Sequence, residues 1–343
     1  MTAANPVADF GIDKSELQYV GHDLQRPECI LAERDGTLWS ADARGGVMRI
    51  NPDGSQQIIT QKQSGHFNEA GTEADRYLRG TLPNGLAFAR NGDFLIANFG
   101  TDRLELMTRS GDSQVLADKL DGREIGKVNF VLRDSKDRLW VTISTRVKNW
   151  MHALRTDLKD GYIALYDQGV FRIVADGFGF TNEVRFDAAE EWLYVVETTG
   201  GCITRLRIDG AGAVVAREVF GPSSLGKGAW PDGIAFDSFG NLWGTTVYSD
   251  KLFVITPQGD LRVILDEGDP AKVDALEQQF FANHVTEDVL FATGAGVAPW
   301  MASVTFGGPD LRTAYIGSLK GKTIPFFRAP VPGLPMVHWN DTV

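Results

Sequence analysis

Short runs of apolar residues, separated by glycine-containing turns, recur along the whole chain. The turn pairs include Asp35-Gly36, Asn91-Gly92 and Phe239-Gly240. Each precedes a run of β-forming residues, such as Thr37-Leu38-Trp39-Ser40, and this arrangement is typical of antiparallel hairpins. Helical periodicity is scarce, with residues 270–281 and 150–158 as the best candidates. The pattern therefore predicts an all-β protein.

One unit of about fifty residues occurs six times along the chain. It begins with an oxygen-bearing side chain, continues through apolar residues and a turn, and reaches a strand 10 or 11 residues later. The first positions of the six copies are Glu28, Asn84, Asn129, Asn182, Asp232 and Ser303. Repeats of this length in a strand-rich chain are typical of propeller blades, each of which is a four-stranded sheet. We therefore predict a single six-bladed β-propeller domain over residues 1–343.

The ends of such a ring have to meet, because an open propeller would leave sheet edges unpaired. Residues 17–20 form a short β-like run ahead of the first blade, and residues 323–327 form another after the last. We predict that these two segments pair and close the sixth blade.

The six first positions are expected to stand at one height around the central channel, since each lies at the same place in an innermost strand. All six side chains carry oxygen, and neither cysteine nor histidine is among them. Carboxylate and amide oxygens suit a hard divalent cation, whereas a structural zinc site would need sulfur or nitrogen ligands. The repeat therefore predicts a metal site in the central channel.

Charge and composition exclude several kinds of partner. The net charge of −11 argues against binding to nucleic acid or to an anionic membrane surface. No apolar run approaches the ~18 residues that a membrane span needs. Two cysteines, Cys29 and Cys202, are too few for a disulfide framework, and the first residues lack the features of a signal peptide. We expect a cytoplasmic protein with reduced thiols.

Three segments of the chain resemble the regucalcin/gluconolactonase (SMP-30/gluconolactonase/LRE-like) family, which also includes diisopropyl fluorophosphatase and luciferin-regenerating enzyme. The segments are Arg26-Pro27-Glu28, Pro231-Asp232-Gly233 and Phe306-Gly307-Gly308-Pro309-Asp310. The resemblance implies a six-bladed propeller that binds one divalent cation. The cation ligands that it implies are Glu28, Asn129, Asn182 and Asp232, and it places Asn84 near the substrate.

The resemblance also implies a divalent-metal-dependent hydrolase, in the first place a lactonase that opens a cyclic ester. Asp232 is the candidate catalytic residue, as a general base or as a nucleophile, because a metal-bound carboxylate can do either. Calcium is the expected ion, with magnesium, manganese, zinc and iron as alternatives. A phosphotriesterase or fluorophosphatase activity is one alternative function, and a non-catalytic calcium-binding propeller is the other.

The chain departs from the family pattern where the substrate would bind. Asn129 is followed by Phe130-Val131 instead of Asp-Gly, and Lys127 stands where many lactonases have arginine. Lys127 and Arg146 are candidates for binding an anionic group of the substrate, and Asn129 is a candidate substrate contact as well as a ligand.

Two long segments between predicted strands are candidate rims of the channel. The first contains Trp150 and His152, which we predict to bind substrate from a loop folded over the channel. The alternative for this segment is a solvated loop with one buried tryptophan. The second runs from Gln61 to Gly80 and contains His66.

Overall fold

Six antiparallel sheets of four strands follow one another along the chain. The computed structural model describes residues 4–62 and 80–341. Blade 1 contains β2 (Ile30–Ala32), β3 (Leu38–Asp42), β4 (Gly46–Ile50) and β5 (Gln56–Thr60). Blade 2 contains β6 (Pro83–Phe88), β7 (Phe94–Asn98), β8 (Arg103–Met107) and β9 (Ser113–Ala117). Blade 3 contains β12 (Val128–Arg133), β13 (Leu139–Ile143), β14 (Gly161–Asp167) and β15 (Val170–Phe178).

The remaining blades repeat this order from the innermost strand outwards. Blade 4 contains β16 (Thr181–Phe186), β17 (Trp192–Glu197), β18 (Cys202–Ile208) and β19 (Val214–Phe220). Blade 5 contains β20 (Pro231–Phe236), β21 (Leu242–Thr246), β22 (Lys251–Ile255) and β23 (Leu261–Asp266). Blade 6 contains β24 (Met301–Gly307), β25 (Thr313–Ser318), β26 (Ile324–Arg328) and the N-terminal strand β1 (Gln18–Val20). A small hairpin, β10 (Lys119–Leu120) and β11 (Arg123–Glu124), follows blade 2.

The N-terminal strand closes the ring as predicted. It pairs antiparallel with β26, with Gln18 opposite Phe326 and Val20 opposite Ile324. The first strand of each blade contacts the first strand of the next, and β24 contacts β2. These six innermost strands therefore surround one central channel, which confirms the predicted all-β six-bladed propeller.

A buried carboxylate recurs at the hairpin between the first two strands of a blade. Asp237 accepts hydrogen bonds from the backbone N–H groups of Phe239 and Asn241, and from Trp243 Nε1 at 2.9 Å. Asp134 holds Trp140 Nε1 in the same way at 3.0 Å. One side chain thus stabilises the turn and also anchors the large aromatic residue that packs between blades.

Two helices stand between blades 5 and 6. Helix α1 (Pro270–Phe281) occupies the predicted range, and the side chain of Asp269 caps it by accepting from Ala271 N. Helix α2 (Glu287–Ala292) follows. The predicted helix over 150–158 is a 3₁₀ helix at Trp150–Ala153, and the other 3₁₀ helices are Lys14–Glu16 and Val337–Asn340. No helix in the described part of the chain is both long and apolar enough to cross a membrane.

The C-terminal segment crosses the end of the channel where the innermost strands finish. Leu334 N donates to Phe236 O, and His338 Nε2 lies 2.9 Å from Ala32 O. A cavity of about 140 Å³ lies between this segment and the strand ends. The opposite end of the channel, where the strands begin, holds the oxygen-bearing residues of the repeat.

Candidate metal centre and cavity

In blades 2 to 5, β-bulges turn the first residue of the repeat out of its ladder. In β6 the pairing passes from Pro83 to Gly85, and in β12 it passes from Val128 to Phe130. The skipped residues are Asn84 and Asn129. Similar interruptions in β16 and β20 release the segments that contain Asn182 and Asp232. Bulges redirect side chains in this way, so the four side chains point into the channel instead of alternating across a sheet.

Blade 6 corrects one position of the predicted ring. The bulge in β24 falls between Met301 and Ser303, so the equivalent residue is Ala302, which has no side-chain oxygen. Ser303 pairs with Gly317 in the ladder, and its hydroxyl donates to the backbone oxygen of Glu28. The described ring therefore has five oxygen-bearing members, which are Glu28, Asn84, Asn129, Asn182 and Asp232.

Glycine allows the innermost strands to approach closely beside the ring. A Cβ on Gly233, next to Asp232, would lie 2.3 Å from Ala302 O, and one on Gly85 would lie 2.6 Å from Phe130 Cα. Backbone atoms cannot yield at these distances. A side chain at either position would therefore push the blades apart and displace the ring residue next to it.

Hydrogen bonds orient the ring amides. Asn84 Nδ2 donates to Glu28 Oε1 at 2.7 Å and to Asn129 O at 2.9 Å, with Asn129 Oδ1 at 3.3 Å. Asn182 Nδ2 donates to Thr198 Oγ1 at 3.1 Å, and Thr198 donates onward to Pro231 O. Because both amides use their N–H groups on protein partners, their oxygens are left facing the channel.

Three buried oxygens of the ring accept no hydrogen bond within the described part of the chain. They are Asn84 Oδ1, Asn182 Oδ1 and Asp232 Oδ1. Buried polar atoms without hydrogen bonds are rare and call for an explanation such as a bound ion or water. Hard oxygen donors from two carboxylates and several amides fit a divalent cation of the calcium or magnesium type. Among residues 4–62 and 80–341, no three His, Cys, Asp or Glu side chains form a metal-binding group, so such an ion would depend on the amides too.

The electrostatics of the channel favour a positive charge at the ring. Burial raises the pKa of Asp232 well above its usual value, and the charges of Glu28 and Glu183 raise it further. Burial also raises the pKa of Glu28, although Arg26 opposes the rise. Glu183, next to Asn182 and also buried, has its pKa raised by burial to about 7. A cation among these carboxylates would relieve their mutual repulsion and their burial as charged groups.

Arg26 is a cavity residue that the sequence analysis did not identify as functional. Its side chain is buried, its Nη1 lies 2.8 Å from Glu28 Oε2, and its backbone is left-handed with φ +59°. This conformation is uncommon outside glycine. Its place two residues before Glu28 was the available signal, but the backbone turn that brings the guanidinium to the carboxylate is not encoded in any spacing.

Above the ring, the cavity wall is apolar. Its aromatic residues are Phe99, Trp150, Phe180, Tyr248 and Trp300, and its aliphatic residues are Val247 and Leu319. The cavity measures about 40 Å³, far less than the ~150 Å³ of an apolar cavity that binds benzene. As it stands, the cavity therefore does not enclose a substrate of several carbon atoms.

The segment from Ser144 to Asp160 supplies Trp150 to this wall. Trp150 and Met151 are buried, and the far part of the segment is attached to the end of helix α1, where Asn283 Oδ1 accepts from Thr156 N at 2.7 Å and from Thr156 Oγ1 at 2.9 Å. The segment thus bridges blade 3 and the helical insertion, which is an arrangement compatible with the predicted fold over the channel.

Other predicted substrate residues lie outside the cavity wall. Lys127 is buried with Nζ 2.9 Å from Asp102 Oδ1. Arg146 is exposed and its guanidinium lies over the Tyr162 ring. His152 is also exposed, and His66 lies outside the described residues. By contrast Asn84, Asn129 and Trp150 do line the cavity. The roles of all these residues in binding remain predictions.

Comparison with known proteins relates the chain to enzymes and binding proteins of similar fold. A family model described as the SMP-30/Gluconolactonase/LRE-like region matches residues 26–268, more than half of the chain. A 6-deoxy-6-sulfogluconolactonase of Pseudomonas putida is 25% identical over 205 residues, which are 59% of this chain and 57% of that protein. The chain thus matches less than two thirds of the length of this relative.

Solved structures share the architecture at lower identity. A gluconolactonase of Xanthomonas campestris superposes with a TM-score of 0.62 at 16% identity, over 93% of this chain and 89% of the other. Regucalcin of Agrobacterium tumefaciens, described as a calcium-binding protein, superposes with a TM-score of 0.65 at 15% identity, over 93% and 96% of the two chains. At these identities the likeness shows the fold alone.

Proposed function

The chain belongs to the SMP-30/gluconolactonase/LRE-like family, and on that premise we propose that it is a divalent-metal-dependent hydrolase that opens a lactone. The observation that carries the proposal is the set of three buried oxygens without hydrogen bonds, which converge from three different blades on the cavity that Glu28 also lines. If the channel had only a structural role, the protein would be more stable with these atoms hydrogen-bonded or replaced by apolar groups. Glu28, Asn182 and Asp232 are the proposed ligands, with Asn129 as a fourth.

The proposed chemistry is the addition of water across the acyl C–O bond of the lactone. Ionised Asp232 takes a proton from water while the water oxygen bonds to the acyl carbon. The ring C–O bond then breaks, and the departing oxygen receives the proton from Asp232. The product is an open-chain hydroxy acid. Direct attack by Asp232 on the acyl carbon, followed by hydrolysis of the acyl-aspartate, is the alternative route.

The surroundings of Asp232 support this assignment. A divalent cation bound here would polarise the acyl oxygen and would keep Asp232 ionised despite its burial. Asn84 orients Glu28, and Thr198 orients Asn182, so the ring is arranged before substrate arrives. The ring residues are buried beside the apolar cavity wall, which strengthens each of these electrostatic interactions.

A lactone panel tests the proposal. The protein is treated with a chelator, dialysed, and assayed with and without added calcium, magnesium or manganese. We expect turnover that disappears with the chelator and returns with one of these ions. A protein that binds the ion but leaves every lactone and phosphotriester intact would instead be a non-catalytic cation-binding propeller. Failure to bind any of the three ions at millimolar concentration would overturn the metal site itself.

A further inference from the structure

The aromatic side chains of the cavity wall form two groups above the ring of oxygen-bearing residues, with ring contacts inside each group. Trp150 contacts Phe99 and Phe180 edge to face, with ring centroids 6.3 Å apart in both pairs. Tyr248 contacts Trp300 in the same manner at 5.2 Å. Aromatic faces and edges of this kind bind other flat rings favourably, with a preference for offset or edge-to-face contact.

Polar groups of the wall are few. Outside the ring, the described residues that line the cavity carry them at Arg26, at Thr198, at the Tyr248 hydroxyl and at the indole N–H groups of Trp150 and Trp300. Trp300 Nε1 donates to Thr293 Oγ1 at 2.9 Å. Arg26 is paired with Glu28, and Thr198 bonds both Asn182 and Pro231 O. Four of the five ring side chains are proposed cation ligands, and Asn84 is the fifth. Beyond the ring, hydroxyl groups on a substrate would therefore meet only the few polar groups just named, and apolar carbon along the rest of the wall.

A sugar lactone is a poor match to such a wall. It carries several hydroxyls, and each one buried without a hydrogen bond costs roughly tenfold in affinity. A flat apolar ring loses nothing on leaving water and gains contact with the aromatic side chains.

We propose that the substrate is a benzo-fused lactone, with its carbonyl toward the ring and its aromatic part against Phe180, Tyr248 and Trp300. This inference rests on the proposed lactonase function. It assigns Phe180 as a specificity-determining residue. Phe180 has a left-handed backbone with φ +52°, which asparagine adopts more readily than phenylalanine. Phe180→Asn therefore places a hydrogen-bonding group in the wall at a backbone conformation that asparagine accepts.

Three lactones with the same six-membered ring test the inference. They are 3-isochromanone, which is benzo-fused, δ-valerolactone, which is bare, and glucono-δ-lactone, which carries hydroxyls. Each kcat/KM is divided by the rate of the uncatalysed reaction. We expect a value at least tenfold higher for 3-isochromanone than for glucono-δ-lactone. We also expect Phe180→Asn to reduce this ratio at least tenfold. The matched control is Leu311→Asn, which has the same backbone conformation with φ +56° and does not line the cavity; it should leave the ratio unchanged.

The outcomes separate the two proposals. Equal or better turnover of glucono-δ-lactone would overturn the inference while leaving lactonase function intact. If none of the three lactones is hydrolysed, the proposed function fails, and the wall is tested by binding alone. The probe is then the benzo-fused lactam 1,4-dihydro-3(2H)-isoquinolinone, compared with gluconolactam by calorimetry on the calcium-loaded protein. Binding of the fused lactam at least tenfold tighter supports the wall's preference, and equal or weaker binding overturns it.

Discussion

Asn84 Nδ2 donates to Glu28 Oε1 at 2.7 Å, and by doing so it links blade 2 to blade 1 inside the channel. The bond fixes one oxygen of Glu28 and turns the amide so that Asn84 Oδ1 faces the cavity without a hydrogen bond. One contact thus orients a proposed cation ligand, Glu28, and leaves the oxygen of Asn84 facing the cavity.

Asn84→Ala should weaken cation binding about 10–100-fold, the usual cost of losing a group that orients a metal ligand. The measurement is calorimetric titration of calcium into chelator-treated protein. Asn91→Ala is the control, because Asn91 is an exposed residue in a turn of the same blade. Affinities within threefold of wild type for Asn84→Ala would show that Glu28 needs no such support.

Asp232→Asn should keep the fold and a measurable part of the bound ion but lose at least about 10²-fold in lactone turnover, since a general base contributes typically 10²–10⁴-fold. Asparagine keeps one oxygen ligand and nearly the same volume. Turnover and metal content are measured on the same metal-saturated sample, so that loss of ion can be separated from loss of the base. Activity within threefold of wild type would make Asp232 a ligand only.

The metal-free protein should lose stability as pH rises from about 5 to about 7.5. Burial raises the pKa of Glu183 from 4.5 to about 7, so between these values the folded state holds a proton that the unfolded chain has released. The contribution of Glu183 to the free energy of unfolding is about 3 kcal/mol at most. It is fully present below pH 4.5 and is lost as pH rises through 7. The raised pKa values of Glu28 and Asp232 act in the same direction.

Urea unfolding of chelator-treated protein at pH 5.5, 6.5 and 7.5 measures how the free energy of unfolding changes with pH. Glu183→Gln should flatten it, and added calcium should restore more stability at pH 7.5 than at pH 5.5. A wild-type protein whose metal-free stability stays level or increases with pH would contradict the assignment of a buried, proton-holding Glu183.

Deletion of residues 1–22 should abolish cooperative unfolding or lower Tm by more than 10 °C. The deletion removes the β1 edge of blade 6, and it also removes Phe10, which stacks on Phe327 with ring centroids 6.1 Å apart. Thermal unfolding followed by circular dichroism is the measurement. Deletion of residues 1–4 is the control, since it spares Asn5 and its bond to Asn241. A chain lacking 1–22 that melts like the full one would show that β1 is dispensable.

Repetition made much of the fold and part of the site predictable. Asn84 and Asp232 could be found because each blade starts in the same way. Equivalent positions in the repeat lie at equivalent places around the channel, so their spacing in the sequence predicted that they lie close together. Helix α1 was predictable from its own residues. Ser303 was placed one position from the true equivalent, because a bulge adds a residue to one strand and leaves no mark on the apolar pattern.

Other parts of the site depend on contacts between distant segments. The positive charge of Lys127 suggested a contact with an anionic substrate group. Asp102, which pairs with it, comes close only after blades 2 and 3 assemble. Arg26 reaches Glu28 through a left-handed turn that most residues avoid. The apolar wall is drawn from loops of five blades, and no local pattern joins Phe180 to Trp300.

The pairing that closes blade 6 also imposes a delay during synthesis of the chain. Gln18 is made early and its partner Phe326 about 300 residues later. At about 5–20 residues per second, that interval is roughly 15–60 s, during which β1 has no strand to pair with. Five blades can form before Phe326 is made, but the sixth cannot. The edge of the unfinished ring is therefore open to pairing with other chains during this interval.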